Sequence, residues 1–220
     1  DTTEYVRQSL AIWEELGFEF DAISTGFIVT EEETRIISDF CHRRAQKGTK
    51  VFVDPIMGDN GKLYAGVPES TIGLMRHLLE CADYAVPNYT EACLLTDTSI
   101  AEQITPDEAR ALVDAVRELG AKSVVITSAV VNGTNAVIGY DHVAGEYSTI
   151  PFELIPVYFP GTGDTFSAVL VGRVMAGWSL QRATSDAMRV VAELIERNAD
   201  QEDKSAGLPI EACLDVIDHE

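Results

Sequence analysis

The chain has 220 residues, 46% of them apolar, enough to bury one full core in a single domain of ordinary size. Its 16 basic and 36 acidic residues leave a net charge of -20, which argues against nucleic acid or an anionic membrane as partner. An anionic substrate must then be held at close range by backbone N–H groups or a divalent cation.

Taken in chain order, the apolar periodicity alternates between helix and strand, the pattern of a parallel α/β layer structure. Val6, Leu10, Trp13 and Leu16 mark one face of an opening helix that ends near Gly17. Residues 22–25 read as a short strand, 31–46 as a helix and 50–54 as a strand buried on both faces, since Val51, Phe52 and Val53 follow one another. The alternation repeats with a helix over 71–81, a strand over 84–86, a helix over 106–119 and a strand over 123–127. Residues 135–140 and 145–150 read as an antiparallel pair joined by a turn at 141–144. The last third is helical, over 163–178, 180–197 and 209–217, with a polar surface loop over 198–207. A parallel α/β domain usually opens on a central strand, whereas this chain enters a helix almost at once, so the expectation is a single domain over 1–220 whose N-terminal segment is missing.

Cys41, Cys81, Cys93 and Cys213 lack C-x-x-C spacing and fall in segments that otherwise read as helical, which suits buried free thiols in a reducing compartment. His42, His77, His142 and His219 lack metal-ligand spacing and read as surface or satisfied helix residues. No run of about 18 apolar residues and no signal peptide occurs, so a cytoplasmic location without membrane insertion is expected.

Polar residues that break the core pattern gather just beyond the strand ends, where open α/β sheets keep their ligand crevice. Asp54-Pro55-Ile56-Met57-Gly58-Asp59-Asn60-Gly61-Lys62-Leu63-Tyr64 is a glycine-containing loop with two carboxylates. Pro87-Asn88-Tyr89-Thr90-Glu91 follows the next strand. Asn88 and Glu91 have the spacing of a helix capping box, and that reading stands level with a functional one. Thr127-Ser128 closes a third strand, with hydroxyls that suit a phosphate or simply the turn. Pro160-Gly161-Thr162-Gly163-Asp164 is the densest signal. Two glycines let backbone N–H groups close around an anion at the start of an apolar helix, with a carboxylate beside them. An ordinary glycine turn with an aspartate near a helix start is the plainer alternative.

Together these segments resemble the pyridoxal kinase branch of the ribokinase-like superfamily. Val53-Asp54-Pro55-Ile56-Met57-Gly58-Asp59 with Gly61-Lys62-Leu63-Tyr64 is similar to the branch's D-P-V-M-G-D loop, Asn88 with Glu91 to the N-x-x-E motif, and Gly161 to Asp164 to the G-x-G-D anion hole. The likeness extends more weakly through Ser24-Thr25-Gly26-Phe27 and residues 124–128. It implies a three-layer α/β fold, a mostly parallel central sheet flanked by helices, with an antiparallel edge pair, lacking the family's N-terminal strand and flap.

The resemblance further implies ATP-dependent phosphorylation of the 5'-hydroxymethyl group of pyridoxal, pyridoxine or pyridoxamine. Asp164 would be the base at the substrate alcohol, Gly161, Thr162 and Gly163 the anion hole, and Asn88 and Glu91 the organisers of Mg²⁺ through water. Asp54, Asp59, Tyr64, Thr127 and Phe159 would lie on the nucleotide side, Phe159 serving equally as a core residue. Phe27 would meet the pyridine ring, or else the core. ATP and Mg²⁺, with a monovalent cation as a further option, and a homodimer follow by the same analogy. Two alternatives remain, a hydroxymethylpyrimidine or sugar kinase of the same superfamily, and an inactive nucleotide-binding protein.

Overall fold

The computed structural model describes residues 2–28 and 30–217. They fall into two compact units, Asp1–Thr149 and Ile150–Glu220.

The first unit opens with α1 (Thr3–Glu15), β1 (Ala22–Thr25), α2 (Glu31–Ala45) and β2 (Lys50–Val53). A small hairpin of β3 (Gly58–Asp59) and β4 (Lys62–Leu63) follows, then α3 (Ser70–Leu79), β5 (Tyr84–Ala85), α4 (Tyr89–Leu95) and α5 (Pro106–Glu118). β6 (Ser123–Val131), β7 (Thr134–Asp141) and β8 (Glu146–Pro151) complete a six-stranded sheet of order β1-β2-β5-β6-β7-β8. β1, β2, β5 and β6 run parallel, and β7 pairs antiparallel with β6. The mostly parallel sheet with an antiparallel edge is therefore the expected one. Val51, Phe52 and Val53 are fully buried, as their uninterrupted apolar run requires, and Phe52 stacks on Tyr84 of the neighbouring strand at 4.5 Å between ring centroids.

Side-chain caps start several helices where sequence places them. Thr30 accepts from the Glu33 N–H, and Thr105 with Glu108 forms a reciprocal box behind the first-turn Pro106. The face of α1 carrying Val6, Leu10, Trp13 and Leu16 is only partly covered, for Leu16 is 65% and Trp13 39% exposed, with the Trp13 ring near Phe20. Two expectations need correction. The strand expected to stop at residue 127 continues to Val131, because a bulge between Ile126 and Ala129, with Ser128 at φ +60°, restores the pairing. The antiparallel region consequently comprises β7 and β8 laid on an already long β6.

The second unit holds α6 (Thr162–Met175) and α7 (Leu180–Arg197), the latter begun by the Ser179 cap. The helix expected over 209–217 is a run of 3₁₀ turns, Ile210–Val216, broken at Cys213 where φ is -128°. Its last carbonyls turn toward arginines rather than along a helix axis: Arg189 donates to the Val216 carbonyl and Arg173 to that of Ile217. Arg173 and Arg189 also bridge Asp186, whose carboxyl is held below its usual range by these bonds against the opposing effect of burial.

All four cysteines are buried free thiols. His42, His77 and His142 are exposed, and His219 lies outside the described residues. No helix among the described residues is long and apolar enough to cross a membrane.

Candidate active site

In the first unit the sheet register aligns the strand ends. Thr25 pairs with Val53, Val53 with Ala85 and Ala85 with Val124, so one row crosses four parallel strands. Asp54 is the next residue beyond that row. Further along, Asn88 bridges Thr127 in parallel, and the Thr127 N–H donates to the Pro87 carbonyl at 3.0 Å. Asp54, Asn88 and Thr127 are thus brought to the carboxyl ends of neighbouring parallel strands by backbone pairing alone. Thr25 ends β1 in the same row with a buried hydroxyl that has no protein partner, two residues before Phe27, which is 57% exposed. Phe27 is therefore not a core residue.

The segment from Asp54 to Tyr64 is held against the first turn of α4. The capping box is complete: the Asn88 side chain accepts from the Glu91 N–H at 2.9 Å, and Glu91 Oε2 accepts from the Asn88 N–H at 2.9 Å. The same groups also reach the loop. Glu91 Oε1 accepts from the Met57 N–H at 3.0 Å and from that of Gly58 at 3.4 Å, while Asn88 Nδ2 donates to the Gly58 carbonyl at 2.8 Å. Capping and loop-holding are one arrangement here. Burial pushes the Glu91 carboxyl up to about 7, its backbone donors pulling the other way and the Asp54 charge adding to the rise.

Beyond Gly58 the chain makes a two-residue turn at Asn60 and Gly61, with φ of +52° and +80°, the mirror-image geometry that Asn-Gly favours between short strands. Asp59 accepts from both the backbone and the side chain of Asn60. The Gly61 N–H donates to Thr90 Oγ1 at 2.9 Å, and the Tyr64 N–H closes the hairpin on the Met57 carbonyl at 3.0 Å. Tyr64 is 44% exposed. Sequence reading passed over both the hairpin and Thr90, although the Asn60-Gly61 pair was a sufficient signal for the turn.

In the second unit Gly161 takes the left-handed conformation, φ +84°, and serves as N-cap of α6 without a side-chain capping bond. Thr165 closes the turn through its N–H and its hydroxyl, both donating to the Gly161 carbonyl at 3.0 and 2.9 Å. Thr162 donates to the Phe159 carbonyl at 3.4 Å. Gly163 and Asp164 are exposed, and a Cβ on Gly163 would meet nothing within 4 Å. The Phe159 ring is 1% exposed, with the Lys204 ammonium 6.0 Å from its centroid. What the turn offers is an open helix start, whose N–H groups receive anions, with an exposed carboxylate beside it on the first turn.

Strand-end loops on a mostly parallel sheet, together with a glycine helix start bearing an aspartate, define a ribokinase-like α/β protein. Residues 3–208 match the phosphomethylpyrimidine kinase family model, and the chain belongs to that family. Pyridoxal kinase of Arabidopsis thaliana is 33% identical over 174 residues, covering 74% of this chain and 53% of that protein. This chain spans about half the length of the Arabidopsis relative. A crystal structure from Bacteroides thetaiotaomicron, provisionally named a phosphomethylpyrimidine kinase and containing pyridoxal, matches all of the chain and 78% of its own, with TM-score 0.93 and 31% identity. Pyridoxal kinase from Lactobacillus plantarum matches 99% of this chain and 77% of its own, with TM-score 0.84 and 27% identity.

Proposed function

We propose that the chain carries the catalytic machinery of an ATP-dependent kinase that phosphorylates the 5'-hydroxymethyl group of a B6 vitamer. The observation that carries this reading is the Gly161 to Asp164 turn, an uncapped helix start with an exposed carboxylate on its first turn. Asp164 accepts the proton of the substrate alcohol as that oxygen attacks the terminal phosphorus of ATP, the bond from that phosphorus to the β–γ bridging oxygen breaks, and ADP leaves. The backbone N–H groups of Gly161, Thr162 and Gly163 receive the negative charge that develops on the transferring group. Little covalent work is required of the protein in such a transfer, so positioning and fixed donors account for most of the rate.

The strand-end loops of the first unit supply the nucleotide side, through Asp59, Tyr64 and Thr127. Phe159, being buried, serves as core next to the turn in sequence rather than as a stacking surface for the base. A hydrated magnesium ion would suit the half-buried carboxylates of Asp54, just past β2, and Asp59, in the hairpin, where it would neutralise phosphate charge. Glu91 and Asn88 act on it through the loop they hold, since both Glu91 oxygens already accept backbone N–H groups. Phe27, exposed at the end of β1, serves as the ring contact for the acceptor.

The test is ATP consumption with Mg²⁺, offering pyridoxal, pyridoxine, pyridoxamine and hydroxymethylpyrimidine separately, with the product identified by mass. Gain of one phosphate on a B6 vitamer is the expected result. Phosphorylation of hydroxymethylpyrimidine alone would move the acceptor within the superfamily, and nucleotide binding with no acceptor phosphorylated would favour a binding protein.

A further inference from the structure

We propose that Thr90 is a positioning residue for nucleotide binding, acting by holding the tip of the β3–β4 hairpin; this rests on the kinase reading above. The hairpin is too small to hold itself in place. Each strand has two residues, paired Gly58 with Leu63 and Asp59 with Lys62, and two-stranded ribbons of this kind are marginal in water. Its position is therefore set by what it is tied to.

Glu91 and Asn88 tie the incoming side, at Met57 and Gly58. At the tip, the Gly61 N–H meets Thr90 Oγ1 at 2.9 Å. Thr90 is 5% exposed and sits inside the first turn of α4, whose cap is already provided by Asn88, so its hydroxyl is given to the hairpin rather than to its own helix start. Asp59 and Tyr64 flank this anchored turn. With the tie at Gly61 removed, the incoming strand stays bound while the turn is released to move, and the groups presented at the tip lose their fixed position. The consequence falls on affinity for the phosphate side and leaves the acceptor side untouched.

The experiment compares wild type with Thr90→Val, which keeps the shape and removes the acceptor oxygen, Thr90→Ala as a second variant, and Thr90→Ser as the rescue. Amide exchange at Gly61 reports the tie without reference to activity. Calorimetric affinity for ATP with Mg²⁺, and KM for the acceptor, report its purpose. Loss of one hydrogen bond predicts about tenfold faster exchange at Gly61 and about tenfold weaker ATP binding in the Val and Ala variants, with Ser restoring both and acceptor KM unchanged throughout. A general packing defect would instead lower the active fraction and leave both constants alone. Unchanged ATP affinity in either variant, with wild type binding normally, overturns the role of Thr90 by itself. Wild type that binds no nucleotide removes the kinase reading and this proposal with it.

Discussion

The hairpin at 57–64 and the turn at 161–164 are both glycine-dependent loops joined to the start of a helix, yet they use their polar groups in opposite ways. Around the hairpin, α4 is capped reciprocally and the capping side chains also bind the loop, so donors and acceptors are matched inside the protein. At α6 no side chain caps the helix, and the carboxylate on its first turn is exposed. A region whose polar groups are internally satisfied keeps its shape without a ligand, whereas one with an uncapped helix start gains most from an arriving anion. The contrast fits the proposed division, in which the first region positions and the second carries the chemistry.

Asp164→Asn breaks the second half of that contrast most directly. With Asp164 as the proposed base, its removal while the shape of the turn is kept is expected to lower turnover by about 10²- to 10⁴-fold, with ATP affinity within a few fold of wild type. Single-turnover rates beside calorimetric binding provide the check. Next in size is Gly58→Ala in the first region. A Cβ there would lie 2.5 Å from the Lys62 carbonyl oxygen and 3.0 Å from the Leu63 Cα, both backbone, so the hairpin must open or shift. Thermal unfolding should register a loss of about 1–3 kcal/mol. Gly163→Ala meets no neighbour within 4 Å and is expected to be nearly silent in the same melt.

How far each region was legible follows from the same contrast. Local rules were enough for the helices read to start at residues 31, 106 and 180, for the doubly buried run Val51 to Val53, and for the glycine turn before α6. Asn88 and Glu91 were visible as a capping box, but their reach to Met57 and Gly58 depends on how the loop after β2 folds back, which no spacing encodes. Thr90 was invisible for that reason, since a threonine in a helix's first turn signals nothing until its partner, 29 positions earlier, is known. Continuation of β6 past Thr127 was missed because a bulge reverses the alternation that marks a strand. The partly covered face of α1 shows the converse, that apolar period alone does not guarantee burial.

Glu91→Gln sharpens the first half of the contrast through pH. A carboxyl raised from the usual 4.5 to about 7 binds its proton more tightly in the folded state, so its contribution to stability is fully present below about 4.5 and is lost as pH rises through about 7. Between pH 5 and 7 the stability of wild type should fall relative to Glu91→Gln by about 2 kcal/mol. The glutamine carries a pH-independent cost of its own, because its amide would face one of the backbone donors that Glu91 now accepts. Only the difference in slope bears on the carboxyl. Parallel melting curves across that range would mean that Glu91 titrates at its ordinary value despite its burial.

Of the substitutions expected to register at all, Gly161→Ala has the smallest effect on stability, and it separates folding from chemistry at the turn. Gly161 has φ +84°, and its Cβ would approach Asp164 Oδ2 to 3.9 Å, an ordinary contact, so the cost is conformational rather than steric. Holding alanine in the left-handed region costs about 1–2 kcal/mol, offset in part by about 0.4–1 kcal/mol from the stiffer unfolded chain. A net loss near 1 kcal/mol in the thermal melt is therefore expected. If the turn serves only to start α6, turnover of the folded protein will match wild type. If its N–H groups hold the transferring phosphoryl group, the strain will be relieved by rotating those donors away, and turnover will fall about tenfold or more while the protein remains folded. The ratio of the two losses, one read by melting and one by rate, measures how much of this turn's geometry is kept for the reaction.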